Sequence, residues 1–381
     1  MSESNIVVEV SKSAYIHIPF CAHHCGYCDF AVAEGKDHLV ALYLEALAEE
    51  VSRLGSPHPV QTLFLGGGTP SHLKLDQLRN LLETLARWLP LEPGGEFSLE
   101  ANPDSFEAEK ARLIGRFGVN RISLGVQSFH AHVLRTLERR HDPEHVAPAV
   151  AAAKQFNGCV SIDLIFGVPG QTLDEWAEDL RQALALAPHQ ISTYGLTFEK
   201  GTRLWKQKEH GDVRPLAEDL ELHMYQHAME TLEAAGYEQY EISSFAKPGQ
   251  RCRHNQVYWA NEPCFGFGVG AAAYVNGTRT LNVRNVEGYI RKVLAGESPV
   301  FQSETLGPEE RARETLTLNL RRKEGVSRQR FREQTGFDVD ALASEALRRH
   351  VAAGLLEDDG DSVRFTQAGR YVADSVIAEL L

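Results

Sequence analysis

The sequence predicts an α/β fold: a partial (β/α)6 barrel followed by a C-terminal mixed α+β, winged-helix-like region. Three observations predict it. Six short β-rich runs alternate with six stretches of helical periodicity through the first half of the 381 residues. Each strand leads through a turn into a helix, which is the repeat of a parallel sheet. Right-handed crossovers coil six such units into an open or partial barrel. Beyond about residue 236 the alternation stops, and glycine- and aromatic-rich segments give way to helices.

The strands are expected at 14–18, 61–65, 96–100, 121–126, 160–166 and 190–196. Helices are expected at 37–54, 74–88, 105–116, 130–138, 143–156 and 172–186. A further helix covers 216–235 and a strand 237–242, and the run 265–274 reads as a closely packed strand and turn. Helices follow at 308–320, 326–334 and 340–353. Two strand-like runs, 355–356 and 363–365, then flank a charged turn, and a last helix ends the pattern. The organisation is therefore a barrel over 1–236, a connecting α+β region over 237–300 and a helical, winged-helix-like domain over 301–381.

Composition bounds the function. With 43% hydrophobic and 24% charged residues the chain reads as globular. A net charge of −13, from 39 basic and 52 acidic residues, argues against nucleic acid as the main partner. No apolar run reaches the ~18 residues of a spanning helix, and Met1–Val8 carries no signal-type core. A cytoplasmic location is expected. No basic amphipathic helix argues for membrane attachment, so any membrane contact is peripheral. Oligomeric state is not legible.

Six cysteines in a reducing compartment do not make a disulfide framework. Three of them crowd into Cys21-Ala-His-His-Cys25-Gly-Tyr-Cys28, directly after the first strand. Structural zinc takes four ligands from paired knuckles, and the second knuckle is missing here. Either His23 or His24 is a possible fourth ligand, although neighbours on so short a loop are hard to place tetrahedrally. A cubane iron–sulfur cluster on three thiolates leaves one iron open, and the spacing and compartment favour that reading.

In βα folds the functional groups gather where strands run into the following loops. Here those loops carry Gly66-Gly-Gly-Thr-Pro70, Glu100-Ala-Asn-Pro103 and Gly125-Val-Gln127, with Asp163 on the fifth strand. Taken singly, each has an ordinary structural explanation as a turn, cap or salt bridge. Their recurrence at successive strand ends points to one site at that rim.

The C-x3-C-x2-C loop, with Tyr27 before its last cysteine, resembles the signature of the radical S-adenosylmethionine superfamily. The resemblance implies a 4Fe–4S cluster on Cys21, Cys25 and Cys28. Its open iron would chelate S-adenosyl-L-methionine, which an electron cleaves to a 5′-deoxyadenosyl radical. Backbone carbonyls of Gly67, Gly68 and Thr69, or the Glu100 carboxylate, would take the cofactor's ammonium. Gln127 and Asp163 would take ribose hydroxyls, and Arg139 the carboxylate. Tyr15 would lie near the sulfonium and Tyr27 beside the cofactor.

The segments Tyr15-Ile-His-Ile-Pro-Phe-Cys21, Ser98-Leu-Glu-Ala-Asn-Pro103, Leu124-Gly-Val-Gln-Ser-Phe129 and Ile162-Asp-Leu-Ile-Phe-Gly-Val-Pro-Gly170 resemble the oxygen-independent coproporphyrinogen oxidase-like group. True oxidases of that group carry a further cysteine two residues after the third, where Phe30 stands here. With Cys28-Asp-Phe30 and His254-Asn-Gln-Val-Tyr-Trp259 the chain is instead similar to the heme chaperone (HemW-like) branch. That branch binds heme and passes it to apo-hemoproteins of the respiratory chain. His254 then has two readings, a heme ligand beside the aromatic wall of Tyr258 and Trp259, or a hydrogen-bonded structural group. The alternative function is oxidative decarboxylation of coproporphyrinogen III.

Overall fold

The structure is a computed structural model that describes residues 11–381, so the reading of Met1–Val8 lies outside the described residues. Six strands and six helices follow in the expected alternation: β1 (Ser13–Ile18), α1 (Val40–Ser52), β2 (Val60–Gly67), α2 (Leu75–Trp88), β3 (Leu91–Ala101), α3 (Ala108–Arg116), β4 (Arg121–Gln127), α4 (Ala131–Thr136), α5 (Val146–Phe156), β5 (Cys159–Phe166), α6 (Leu173–Ala185) and β6 (Gln190–Gly195). Two helices, α4 and α5, separate β4 from β5.

The residue pattern explains these elements. Leu78, Leu81, Leu82 and Leu85 recur at helical spacing on α2, and all four are buried. At α6 the Thr172 hydroxyl accepts from Glu175 N–H at 3.3 Å, while the Glu175 carboxylate accepts from Thr172 N–H at 2.9 Å. That capping box starts the helix.

β1 to β6 are parallel neighbours in sequence order. Their alternation separates two environments. Ile16, Leu63, Leu65, Leu99, Ile122, Leu124, Ile162 and Ile191 join the core beneath the helices. The intervening residues Thr62, Glu96, Ser98, Arg121, Ser161, Gln190 and Ser192 are buried and polar. The sheet therefore has one apolar face and one polar, hydrogen-bonded interior.

Past β6 come α7 (Arg203–His210), α8 (Glu218–Ala234), β7 (Glu238–Gln239), β8 (Ser244–Ala246), α9 (Arg253–Trp259) and β9 (Phe265–Phe267). Among the described residues the main sheet has nine strands in the order β9-β1-β2-β3-β4-β5-β6-β8-β7. β9 runs parallel to β1, and β8 runs antiparallel to β6. The region expected as a connector thus supplies both margins of the barrel sheet.

It also shares the barrel's core. β10 (Ala272–Val275), β11 (Thr278–Asn282), α10 (Val286–Leu294) and β12 (Val300–Thr305) follow, and Val286, Tyr289, Ile290 and Val293 of α10 pack into the first core. The strand expected over 237–242 ends at Gln239. There the chain turns toward the C-terminal part: Ile242 N–H donates to the Arg321 carbonyl at 3.2 Å, and Ile242 packs on the second core.

The C-terminal part that holds this second core comprises α11 (Pro308–Leu320), β13 (Val326–Ser327), α12 (Arg328–Thr335), α13 (Val339–Ala352), β14 (Leu356–Asp358), β15 (Ser362–Phe365), α14 (Gln367–Tyr371), whose Tyr371 packs on the first core, and α15 (Ala373–Ala378). The hairpin pairs β14 with β15, and β13 completes a three-stranded sheet. Among the described residues, no helix is long and apolar enough to cross a membrane.

Candidate cofactor site

The carboxyl ends of the barrel strands and the cysteine loop enclose a cavity of about 490 Å3. Cys21, Cys25, Cys28, Tyr27, Gly67, Gly68, Thr69, Glu100, Gln127, Arg139 and Asp163 all line it. Tyr15 and His254 do not.

The loop is held from several sides. Phe20–Cys21 forms a short parallel ladder with Ala33–Glu34. Gly26 N–H donates to the Leu137 carbonyl at 3.2 Å, and Leu204 N–H of α7 donates to the Gly26 carbonyl at 2.8 Å. Arg203 pairs with Glu138 at 2.8 Å and donates to the His24 carbonyl. His23 lies 2.9 Å from Glu34, and His24 Nε2 2.9 Å from the Cys28 carbonyl. Both histidines brace the loop.

All three thiols are free. Burial pushes the Cys21 thiol up to about 12, against the lowering effect of its Thr69 hydrogen bond, and the Cys28 thiol up to about 11. Three mutually repelling thiolates need a strongly positive centre between them, and a bound metal reverses this balance. Among the described residues, no three His, Cys, Asp or Glu side chains converge enough to hold a single metal ion. Three thiols that line one cavity suit a cluster whose irons occupy separate corners.

Beside the thiols the wall is charged. Glu100 accepts from Gly67 N–H at 2.9 Å, and burial, aided by the nearby Asp163, raises its carboxyl to about 7. Asp163 accepts from the Ser123 hydroxyl at 2.8 Å. Burial raises it to about 6, which hydrogen bonds from Ser123, Ser192 and Ser161 partly oppose. Arg139 donates to Asn102 Oδ1 at 2.8 Å and to the Gly125 carbonyl at 2.5 Å, and reaches Cys25 Sγ at 3.6 Å. Its buried Nε has no hydrogen-bond partner among the described residues. Carboxylates, a cation with a spare donor and three thiols around one void fit a zwitterionic ligand beside a metal cluster.

Two backbone features shape this wall. A Cβ on Gly67, whose φ is +106°, would lie 2.4 Å from the His17 ring, and one on Gly68 2.5 Å from the Pro19 carbonyl oxygen. Packing of this loop against β1 thus already requires the glycines, whatever binds at their carbonyls. Gln127 has φ +64° at a bulge between β4 and β5, a conformation costly for a non-glycine residue. The bulge aims its side chain into the cavity.

Tyr15 lies deeper. Its hydroxyl is 3.1 Å from His17 Nδ1, and its ring stacks on Phe64 with centroids 6.1 Å apart. His254 also stacks on Phe64, with centroids 5.1 Å apart. It is fully buried, with Nδ1 2.8 Å from Thr62 Oγ1 and Nε2 2.8 Å from the Tyr258 hydroxyl. The N–H groups of Arg253 and His254 donate to Glu96 at 3.0 and 2.9 Å, which ties α9 to the amino ends of the strands. Of the two readings of His254 the geometry favours the structural one, because both ring nitrogens have hydrogen-bond partners and the residue does not line the cavity at the strands' carboxyl ends. Burial lowers its pKa to about 4.

Other cavity residues had no role assigned from the sequence. Asn102, Ser123, Tyr194 and Glu199 line the void, as does Phe30, which is 61% exposed at its edge. Asn102 stands inside a quoted motif, one residue past a strand end, and that position was its signal. Helix α7 was also missed, although Thr202, which accepts from Trp205 N–H, and left-handed Gly211 mark its ends.

Residues 15–183 match the radical SAM superfamily, and residues 306–372 the HemN C-terminal domain. The chain is 38% identical to the heme chaperone HemW of Bacillus subtilis (strain 168), over 97% of this chain and 99% of that protein. The chain belongs to the HemW family of radical SAM proteins. It is 34% identical to the heme chaperone HemW of Escherichia coli (strain K12), covering 96% of this chain and 97% of that one. The solved structure described as coproporphyrinogen III oxidase (HemN) from Escherichia coli, a radical SAM enzyme, superposes with a TM-score of 0.86 at 23% identity. That match covers 98% of this chain and 90% of that one. The structural match shows a shared fold, and the HemW family is built on it.

Proposed function

We propose that the chain is a heme chaperone, which binds heme and transfers it to apo-hemoproteins of the respiratory chain in the cytoplasm. Position 30 carries this reading. The chain matches proteins named heme chaperone over nearly its full length, and an exposed phenylalanine stands where the oxidases' further cysteine would be. A flat, apolar ring at the cavity edge suits a macrocycle better than an additional metal ligand.

In this reading Cys21, Cys25 and Cys28 hold a 4Fe–4S cluster, and the cavity takes S-adenosylmethionine. When bound, the pair supplies one-electron reductive cleavage of a carbon–sulfur bond. Glu100 and the carbonyl groups of Gly67 and Gly68 accept from the cofactor's ammonium, Asp163 and Gln127 hold the ribose hydroxyls, and Arg139 faces the carboxylate. Tyr27 packs on the cofactor's side, backed by Val133, Leu137, Ile165 and Val168.

Heme added to purified protein tests the proposal. Stoichiometric binding with a shifted Soret band, followed by loss of that band to an apo-cytochrome, is expected; no saturable binding would sink it. The shared HemN fold makes coproporphyrinogen III oxidation the second reading. Protoporphyrinogen formed anaerobically by cluster-loaded protein would establish it in place of the first.

A further inference from the structure

We propose that Asn102 is a positioning residue that orients the Thr69 hydroxyl proton onto Cys21 Sγ, and so raises the potential of the cluster those thiols hold. The inference rests on the proposed cluster, and it concerns residues outside the loop that carries it.

Asn102 follows the last residue of β3, and its backbone is fixed. Its N–H donates to Ser71 Oγ at 3.2 Å, and its carbonyl accepts from Ser105 N–H at 3.1 Å. Its side-chain amide has two partners of different kind. Oδ1 lies 2.8 Å from Arg139 Nη2, and Nδ2 lies 3.3 Å from Thr69 Oγ1. A guanidinium only donates, so the amide oxygen must face Arg139 and the amide N–H must face Thr69.

That orientation settles the next bond. With a lone pair of Thr69 Oγ1 occupied by the Asn102 N–H, the hydroxyl hydrogen is left for its other neighbour, Cys21 Sγ, at 3.0 Å. Thr69 is 3% exposed, which leaves water little access to that hydroxyl. The same guanidinium that orients the amide reaches Cys25 Sγ through Nη1 at 3.6 Å. One neutral amide thus connects the donors at two of the three thiols. Hydrogen bonds to cluster-bearing thiolates favour the reduced, more electron-rich state and raise its potential. An aspartate at 102 would instead accept the Thr69 hydrogen and turn it away from the sulfur.

The test is the midpoint potential of the reconstituted cluster, followed by electron paramagnetic resonance during an anaerobic redox titration. Wild type, Thr69→Ser, Thr69→Val, Asn102→Asp and the Thr69→Val/Asn102→Asp double variant are compared. Thr69→Ser keeps the hydroxyl and should stay at the wild-type potential. Thr69→Val should shift negative by about 59 mV, a tenfold change in a one-electron equilibrium. Asn102→Asp should also shift negative, and by clearly less once valine has removed the hydroxyl. An unshifted Thr69→Val overturns the proposal. So does an Asn102→Asp shift of equal size in both backgrounds, which would be the carboxylate's charge alone. If Asn102→Asp does not assemble a cluster, Asn102→Ala takes its place: a negative shift that vanishes in the Thr69→Val background supports the proposal, and no shift overturns it. Wild type that fails to take up about four irons fails the cluster reading itself, a result visible before any variant is made.

Discussion

The carboxylate of Asp179, on α6, accepts the backbone N–H of Phe129 at 2.6 Å, two residues after the left-handed Gln127. The Ser128 hydroxyl donates to the same carboxylate, at 2.8 Å to one oxygen and 3.1 Å to the other. A helix on the outside of the barrel therefore holds the strained turn that presents Gln127 to the cavity. Asp179→Ala takes the acceptor from the Phe129 N–H, the Ser128 hydroxyl and the Gln171 amide. It should lose about 2–4 kcal/mol of stability to urea, and it should weaken S-adenosylmethionine binding by more than Gln127→Ala alone.

Replacing any one of Cys21, Cys25 or Cys28 by Ala should abolish iron uptake and the broad cluster absorbance while the far-ultraviolet spectrum stays native. An intact cluster in Cys25→Ala, read by iron analysis, would mean that the thiol set is misassigned.

Glu100 should contribute stability to the metal-free protein in acid that is lost toward neutrality, against the opposite contribution of buried, neutral His254. Its folded pKa, about 7, lies above the carboxyl's ordinary 4.5 because burial penalises the charge. The folded state therefore holds the proton more tightly. The stability this contributes is complete below pH 4.5 and is lost as pH rises through 7. The slope should be at most about 1.4 kcal/mol per pH unit, reduced by water in the cavity. The difference in urea midpoint between wild type and Glu100→Gln, followed from pH 4.5 to 7, should show it, because the other buried titrating groups are common to both.

His254→Ala should lower stability by about 2–4 kcal/mol, from two lost buried hydrogen bonds and a cavity beside Phe64. Heme stoichiometry should be unchanged once the variant is folded. A variant that loses the heme spectrum at native stability would restore His254 as a ligand.

Much of the site was legible. The three cysteines, the glycine loop, Glu100, Gln127, Arg139 and Asp163 all face one cavity, since the βα repeat brings strand ends together wherever it occurs. The 237–300 region was far less legible. Its strands are two to five residues long, apart from β12, and two of them, β9 and β8, pair with β1 and β6, more than 50 and up to about 250 positions away. Local patterning cannot encode such partners. His254 shows the same limit, because its neighbour Thr62 is 192 positions distant.

By itself the sequence determined the parallel barrel and its thiol-bearing rim. Period-2 alternation and loop spacing are local properties, and they act before any distant contact forms. Only the tertiary structure decided which polar residues reach the cavity and which are consumed in holding the barrel together. It sent Asn102 to Thr69 and Arg139, Asp179 to the back of the Gln127 turn, and His254 into a closed stack at the strands' amino ends. Those outcomes depend on hydrogen bonds between residues far apart in the chain, whose geometry exists only once the sheet has closed around them.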